Sequence, residues 1–385
     1  MTLNGGRIVI IGGGIIGASI AYHLSLSGYR DVTIVERTLV GEGATAYATG
    51  GIRHQFSSRV NIELVQHSIE FWKNFESHTE RPLDFRRHGY LFLISDEATS
   101  EAFGKNVALQ RSLGVEVEVL EPSQICDVFP NVRVDDLVSA TYTPQDGSAS
   151  PADAVAGYLH LARRHGVSVL QNTEVLDIAV GADGAVKGVM TSRGDIEAEA
   201  VVIAAGPQSR RVGALCGLDI PVFPHSRQAF ATAPIASIDG SLPLTVDMAT
   251  GAYLHPEKSG GAVVGGNDRG VPSTEDASVD WDRVEGLAAA LSYRFPELGG
   301  LEVTRGWAGL REMTPDDHAI VGATDDVGGL FIAAGFSGHG FMQSPAVGKS
   351  ITQQLLTGRS DIDLSTLALS RFAAPLAGEL ENAVF

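Results

Sequence analysis

The chain opens on a short, uniformly apolar run, Ile8-Val9-Ile10-Ile11, bounded by glycines at 12–14. Such a run predicts a strand buried on both faces of a parallel sheet. A helical pattern follows it, with Ala21 and Leu24 at core positions and Gly28 as its stop. Val32-Thr33-Ile34-Val35 reads as a second strand. Val60 to Phe75 has helical spacing, with Leu64, Val65, Ile69, Trp72 and Phe75 near one face, so these aromatics belong to a core. A strand is expected at 89–94, a helix from Ala102 to Leu113 ended by Gly114, and a helix from Pro151 to His165 followed by Gly166. Short strands then read at 167–169, 173–178 and 186–191. Two more apolar runs end in glycine, Glu199–Gly206 and Gly329–Gly335, and a glycine- and serine-rich turn and a helix follow the second. Segments 251–255 and 261–265 read as strands of an inserted region spanning 222–321.

The glycines after the first strand form G-x-G-x-x-G. Gly12 permits a tight turn, Gly14 lets backbone approach a pyrophosphate, and Gly17 lets the helix pack close to its strand. The first helical residues, Ile15 and Ile16, then offer N–H groups and a partial positive charge to the phosphates. Glu36 ends the second strand, where a carboxylate accepts from a ribose 2′-OH and repels a 2′-phosphate. Strand, glycines, helix and acid together predict a dinucleotide site for FAD or NAD rather than NADP.

The later apolar strands return the chain to the sheet begun at Ile8. The dinucleotide domain is therefore expected to be discontinuous, 1–85, 148–221 and 322–385, with a substrate domain from 86–147 and 222–321. The fold class expected is α/β, a Rossmann-type domain interleaved with an α+β domain built on an antiparallel sheet. The second glycine-rich turn, Gly335-Phe-Ser-Gly-His-Gly340, aims another helix N-terminus at the site. A reduced flavin carries negative charge that such a terminus stabilises, which favours FAD over NAD.

At 385 residues the chain is long for a single core. The net charge of −18 argues against nucleic acid or an anionic membrane as partner, and leaves a small anionic substrate open. No apolar run approaches a bilayer span and no signal peptide is read, so a cytoplasmic protein is expected. Two isolated cysteines, Cys126 and Cys216, suggest buried thiols, with no disulfide framework and no metal site.

Several segments carry a family resemblance: the fingerprint, Gly51-Ile-Arg-His-Gln-Phe56, Ala204-Ala-Gly206, Trp307-Ala-Gly-Leu-Arg-Glu-Met-Thr-Pro-Asp316 and Gly335–Phe341. Over nearly the whole chain the sequence resembles the D-amino-acid oxidase superfamily of FAD-dependent amine oxidoreductases, in its glycine oxidase and sarcosine oxidase β-subunit-like branch. The resemblance implies oxidation of a small amino acid or N-alkyl amino acid. A hydride passes from the carbon next to nitrogen to flavin N5, and the imine hydrolyses. It implies Arg311 as the bidentate anchor of a substrate carboxylate, a reading that competes with a surface arginine paired to Asp316 or Asp317. Arg53 matches a second family arginine, serving either the carboxylate or the flavin and its phosphates. His54 either tunes the site or packs. Tyr253 either walls the pocket and bonds the carboxylate or sits in the core. Cofactor contacts are implied at Arg37, Thr45, Gly50, Gly51, Val175, Ala205, Gly206, Arg311, Gly335, Gly338, His339, Gly340, Phe341 and Met342, with the backbone of Gly338 and Gly340 weighted above the His339 imidazole.

Three departures shape the expectation. Gly309 stands where covalent members carry a flavin-linking cysteine, so FAD is expected to be non-covalent. Met342 replaces a lysine that helps hold the sarcosine carboxylate. Val263 replaces a lysine linked with oxygen activation, which leaves room for a dehydrogenase. Alternatives carried forward are a proline, hydroxyproline or opine dehydrogenase subunit of a hetero-oligomer, a 2-hydroxy-acid oxidoreductase on the same fold, and a flavin-carrying subunit without turnover. A homo- or hetero-oligomer is allowed by all of them.

Overall fold

The computed structural model describes residues 5–266, 270–373 and 380–381. Two large sheets organise them. The first has six strands in the order Ile320–Ala323, Leu330–Ala334, Ala200–Ile203, Ile8–Ile11, Val32–Val35, Ser168–Leu170. Its first pair is antiparallel and the rest are parallel. The three central apolar strands pair in register, Ile8 with Ala200 and with Val32, and every residue of the Ile8, Val32 and Ala200 strands is buried. That is why these runs lack polar alternation.

Helices Ile15–Leu26, Arg59–Lys73, Pro151–Arg164 and Gly340–Thr357 share one core against this sheet. Gly348 lets the last helix cross the first closely, since a Cβ there would lie 2.2 Å from Ser19 Oγ. That hydroxyl donates to the Ser344 carbonyl at 2.7 Å. A three-stranded meander, Val175–Val180, Val186–Thr191 and Gly194–Glu197, joins a second core on the other face.

The second sheet has eight strands, in the order Val303–Met313, Phe223–Thr232, Ala262–Gly265, Tyr253–Pro256, Leu244–Asp247, Tyr90–Ile94, Ser139–Thr143, Glu118–Leu120. It is antiparallel apart from one parallel pair, Leu244–Asp247 with Tyr90–Ile94.

Several expected boundaries move. The helix expected from Ala102 begins at Glu97, because Asp96 caps it by accepting the Thr99 N–H at 2.8 Å. The helix expected to reach Phe75 ends at Lys73, and a short helix, Phe75–Thr79, continues after Asn74. Its five named apolar residues are all buried. The region 222–321 holds two long strands and a helix, Val284–Arg294, that its pattern does not announce. Cys126 is exposed and Cys216 half-buried, correcting the expectation of two buried thiols. Cys126 follows Ile125 on a one-sided surface helix, Pro122–Val128, whose inward position belongs to Ile125. No described helix is long and apolar enough to cross a membrane.

Candidate active site

The site begins where the Ile8 strand stops. Gly12 has φ +113°, and a Cβ there would stand 2.2 Å from the Ala204 carbonyl oxygen. A Cβ at Gly17 would lie 2.0 Å from the Gly12 oxygen, so the helix rests directly on the turn. Two neighbouring strand ends and a helix N-terminus thus meet with no side chain between them. Thr45 Oγ1 accepts the Ile15 N–H at 3.1 Å. Glu36 accepts the Gly13 and Thr38 N–H groups at 2.8 and 2.9 Å, which fixes its carboxylate beside the glycine turn.

A cavity of about 780 Å³ runs from this turn to one face of the eight-stranded sheet. Its glycine cradle, the adjoining helix N-terminus and its volume suit an elongated dinucleotide such as FAD. All the site residues expected from the sequence line it except three: Gly17, His54 and Gly335. Gly17 is spent on helix packing. Gly335 donates its N–H to Glu312 Oε2 at 2.9 Å and shapes the turn from behind.

His54 corrects an expectation. It does not reach the cavity, because the fully buried Asp146 holds it twice, at 2.5 Å through Nδ1 and at 3.0 Å through its backbone N–H. It is a packing histidine that fixes the loop carrying Arg53. Arg53 does reach the cavity, yet its guanidinium lies 4.2 Å over the Phe56 ring and donates to the Gln55 carbonyl and the Tyr90 phenol.

Arg311 stands on the Val303 strand opposite His225. Its guanidinium lies against the last glycine turn, where a Cβ at Gly338 would come within 2.9 Å of Nε. Burial, then the charge of Arg227, lowers its pKa to about 10. Asp316 pairs with Arg371 at 2.7 Å, which removes it as the surface partner considered for Arg311. Tyr253 shares the sheet face with Arg311, and its ring covers Gly265, where a Cβ would meet the ring carbons at 2.6 Å.

His339 lines the cavity at the start of the last helix. Burial, then the charges of Arg53 and Arg311, holds its pKa well below the usual histidine range, so its imidazole is neutral. Gly309 lines the cavity too, with Tyr47 packed on it so closely that a Cβ would lie 2.4 Å from the Tyr47 Cβ. Val263 does not line the cavity; Met342 does.

Tyr90, Arg227 and Glu312 are among the lining residues that escape the sequence reading. Tyr90 begins a strand that the pattern does predict, and only packing between distant segments brings it beside Arg53, which lies outside that sheet. Arg227 lies on the Phe223 strand, whose mixed residues hide its alternation. Glu312 sits inside the quoted Trp307–Asp316 segment. Its carboxylate accepts from Gly335 and Phe336, its carbonyl accepts the Ser337 N–H at 2.9 Å, and burial pushes its pKa up to about 7. The sheet end of the cavity therefore combines guanidinium groups, phenols and a near-neutral acid, a set suited to recognising a carboxylate.

A family model described as "FAD dependent oxidoreductase" matches residues 7–354. The 4-methylaminobutanoate oxidase (formaldehyde-forming) of Paenarthrobacter nicotinovorans is 27% identical over 95% of this chain, and the chain spans 46% of that protein, less than half its length. Among solved structures, L-proline dehydrogenase from P. horikoshii aligns with a TM-score of 0.90 at 31% identity, covering 97% of this chain and 98% of that one. Glycine oxidase from Geobacillus kaustophilus aligns at 0.84 and 26% identity, covering 95% and 98%.

Proposed function

We propose that this chain, which belongs to the FAD-dependent oxidoreductase family, oxidises a small amino acid or N-alkyl amino acid at the carbon next to nitrogen. The observation that carries this reading is one continuous cavity with a dinucleotide turn at one end and Arg311, Tyr253 and Tyr90 at the other. Bound FAD supplies the two-electron acceptor. Arg311 clamps the substrate carboxylate, with Tyr253 walling the same side. Anchoring one end of a small substrate turns its C–H bond toward the acceptor and removes most of the orientational cost of reaction. The neutral His339 imidazole and the apolar Met342 add no further charge to that end of the cavity. Imine formed in the site hydrolyses in water to a carbonyl product and an amine or ammonia.

For the cofactor, the reading assigns Gly12, Gly14 and the Ile15–Ile16 N–H groups to the pyrophosphate, Glu36 to the ribose, and Gly338, Gly340 and the last helix to the flavin ring. It makes FAD non-covalent, supported by Gly309 under Tyr47. The discontinuous division into 1–85, 148–221 and 322–385 against 86–147 and 222–321 belongs to the same proposal. The two sheets support it, although the Ile320 strand begins two residues before the expected boundary and 1–4, 267–269, 374–379 and 382–385 lie outside the described residues. A cytoplasmic setting and an oligomeric state belong to it as well.

Val263, standing where the resemblance puts an oxygen-activating lysine, favours a dehydrogenase as the second form of the same reading. Within a hetero-oligomer such a subunit passes electrons to a partner rather than to oxygen. Product analysis under turnover tests the reaction itself. Carbonyl product and released amine should appear in equal amounts with reduced acceptor; an alcohol donor giving a keto acid with no amine released would replace amine oxidation by hydroxy-acid oxidation. Peroxide yield against dye reduction then separates oxidase from dehydrogenase.

A further inference from the structure

Tyr90 lines the cavity and is only 8% exposed. Its neighbours fix where the ring lies. Tyr90 pairs in register with Leu244 on the parallel strand beside it, and both line the cavity. A Cβ at Gly51 would lie 3.6 Å from Tyr90 Cε2, so the Gly51 backbone borders the ring edge. The Phe92 ring lies 5.1 Å away on the same strand. Tyr253 pairs with Val246 on the other edge of the Leu244–Asp247 strand. Leu244 and Val246 are two residues apart and both line the cavity, so the two phenols share one sheet face.

The Tyr90 hydroxyl has a defined direction of donation. A phenol has one proton to give and lone pairs that accept. Arg53 donates to the Tyr90 oxygen. Its guanidinium carbon lies 5.9 Å from the Tyr90 ring centre and 4.2 Å over Phe56, and its Nη1 donates to the Gln55 carbonyl. A guanidinium cannot accept, so the Tyr90 proton does not point back at Arg53. Among the described residues no acceptor receives that proton, and it turns to the cavity that Tyr90 lines. Donation by Arg53 also polarises the O–H bond and strengthens what it gives. Burial raises the phenol's pKa against the opposing pull of Arg53 and Arg311, which keeps the proton in place. Arg311 and Tyr90 each perturb the other's ionisation, so guanidinium and phenol face a common space.

We propose that Tyr90 donates a hydrogen bond to the substrate carboxylate that Arg311 clamps, and that Arg53 is a positioning residue acting on the substrate through Tyr90. This rests on the amine-oxidation reading of the cavity. A carboxylate has two oxygens with about four lone-pair sites, room for a two-toothed arginine and a phenol together. Arg53 then holds and polarises the donor instead of touching the carboxylate itself.

The test begins with binding rather than turnover. The FAD-loaded protein is titrated with butyrate, an unreactive acid, and the flavin absorbance is followed. Tyr90→Phe keeps the ring among its neighbours and removes only the hydroxyl. Butyrate should then bind about tenfold more weakly or worse, the value of a hydrogen bond to a charged group. Arg53→Gln should weaken butyrate too, but in the Tyr90→Phe background it should change the affinity by no more than about a factor of two. A general loosening of the site would instead add to the loss. Arg53→Lys keeps the charge and should keep part of the affinity, and it completes the same cycle if Arg53→Gln does not fold. Butyrate affinity in either single variant equal to that of the unaltered protein overturns the proposal. So does an additive loss in the double variant, or loss of FAD in the Arg53 variants, since Arg53 then serves the cofactor. Weakened butyrate binding in Tyr90→Phe, with no flavin reduction by any amine in the unaltered protein, keeps the hydrogen bond to the carboxylate and removes the amine reading.

Discussion

Removing the Arg311 side chain is the perturbation whose size the structure sets most directly. Its pKa falls from 12.5 to about 10, chiefly through burial. At about 1.4 kcal/mol per unit, the cavity holds the charged guanidinium roughly 3 kcal/mol above its cost in water. A bound carboxylate offsets that cost by forming a planar, two-toothed pair. Arg311→Ala takes the pair away and leaves the substrate anion buried without its partner, a loss of roughly 2–5 kcal/mol. In steady-state assays with a carboxylate substrate, kcat/KM should drop by about two to three decades. Arg311→Lys should recover only part, because an ammonium lacks the fork. FAD content should stay near that of the unaltered protein, since the phosphates are assigned to the Gly12 turn some distance along the cavity. An amine substrate without a carboxylate should be nearly indifferent. Normal turnover of a carboxylate substrate by Arg311→Ala would refute the assignment and move the anchor to Arg53. Loss of FAD in both variants would refute it too, by making Arg311 a cofactor residue.

Glu36→Ala should weaken FAD binding by about one to two decades, the value of a charged hydrogen bond, measured by titrating apoprotein with FAD; unchanged affinity would take Glu36 off the ribose. Acid precipitation should release all the yellow colour into the supernatant, because Gly309 offers no thiol, and colour held in the pellet would contradict a non-covalent flavin. Glu312 gives a pH dependence of known sign. Its folded pKa is raised from 4.5 to about 7 by burial, so its stabilising contribution is full below about pH 4.5 and is lost as pH rises through 7. Denaturant unfolding of the apoprotein should therefore show stability falling by up to roughly 3 kcal/mol between about pH 4.5 and 8, with Glu312→Gln flattening the profile. An unflattened profile would assign the pH dependence to other groups.

The dinucleotide end was legible because its physics is local. A glycine turn, an apolar strand and a terminal acid are adjacent in the chain, and each constrains the next. Gly12, Gly17 and Glu36 occupy the geometry their spacing implies. The sheet end was legible only in pieces. Arg311 and Tyr253 stand out within quoted segments, whereas Tyr90 and Arg227 join them through strand order, which no short window encodes. The parallel pairing of Leu244–Asp247 with Tyr90–Ile94 brings together segments about 150 residues apart. His54 went the other way. Its sequence neighbour Arg53 faces the cavity, whereas the irregular segment after Ile52 leaves His54 held by Asp146, a partner 92 residues on. Cys126 and Cys216 followed a compositional tendency that a surface helix and a loop end override.

The central claim is that a carboxylate-bearing amine is oxidised against FAD in this cavity. Anaerobic mixing of the FAD-loaded protein with amino acids and N-methylamino acids, mono- and dicarboxylic and of both chiralities, tests it in one step by following the oxidised flavin band. The account predicts bleaching by at least one carboxylate-bearing amine and a strongly slowed reaction in Arg311→Ala. Full photoreduction of the flavin with no bleaching by any member of the panel would contradict it.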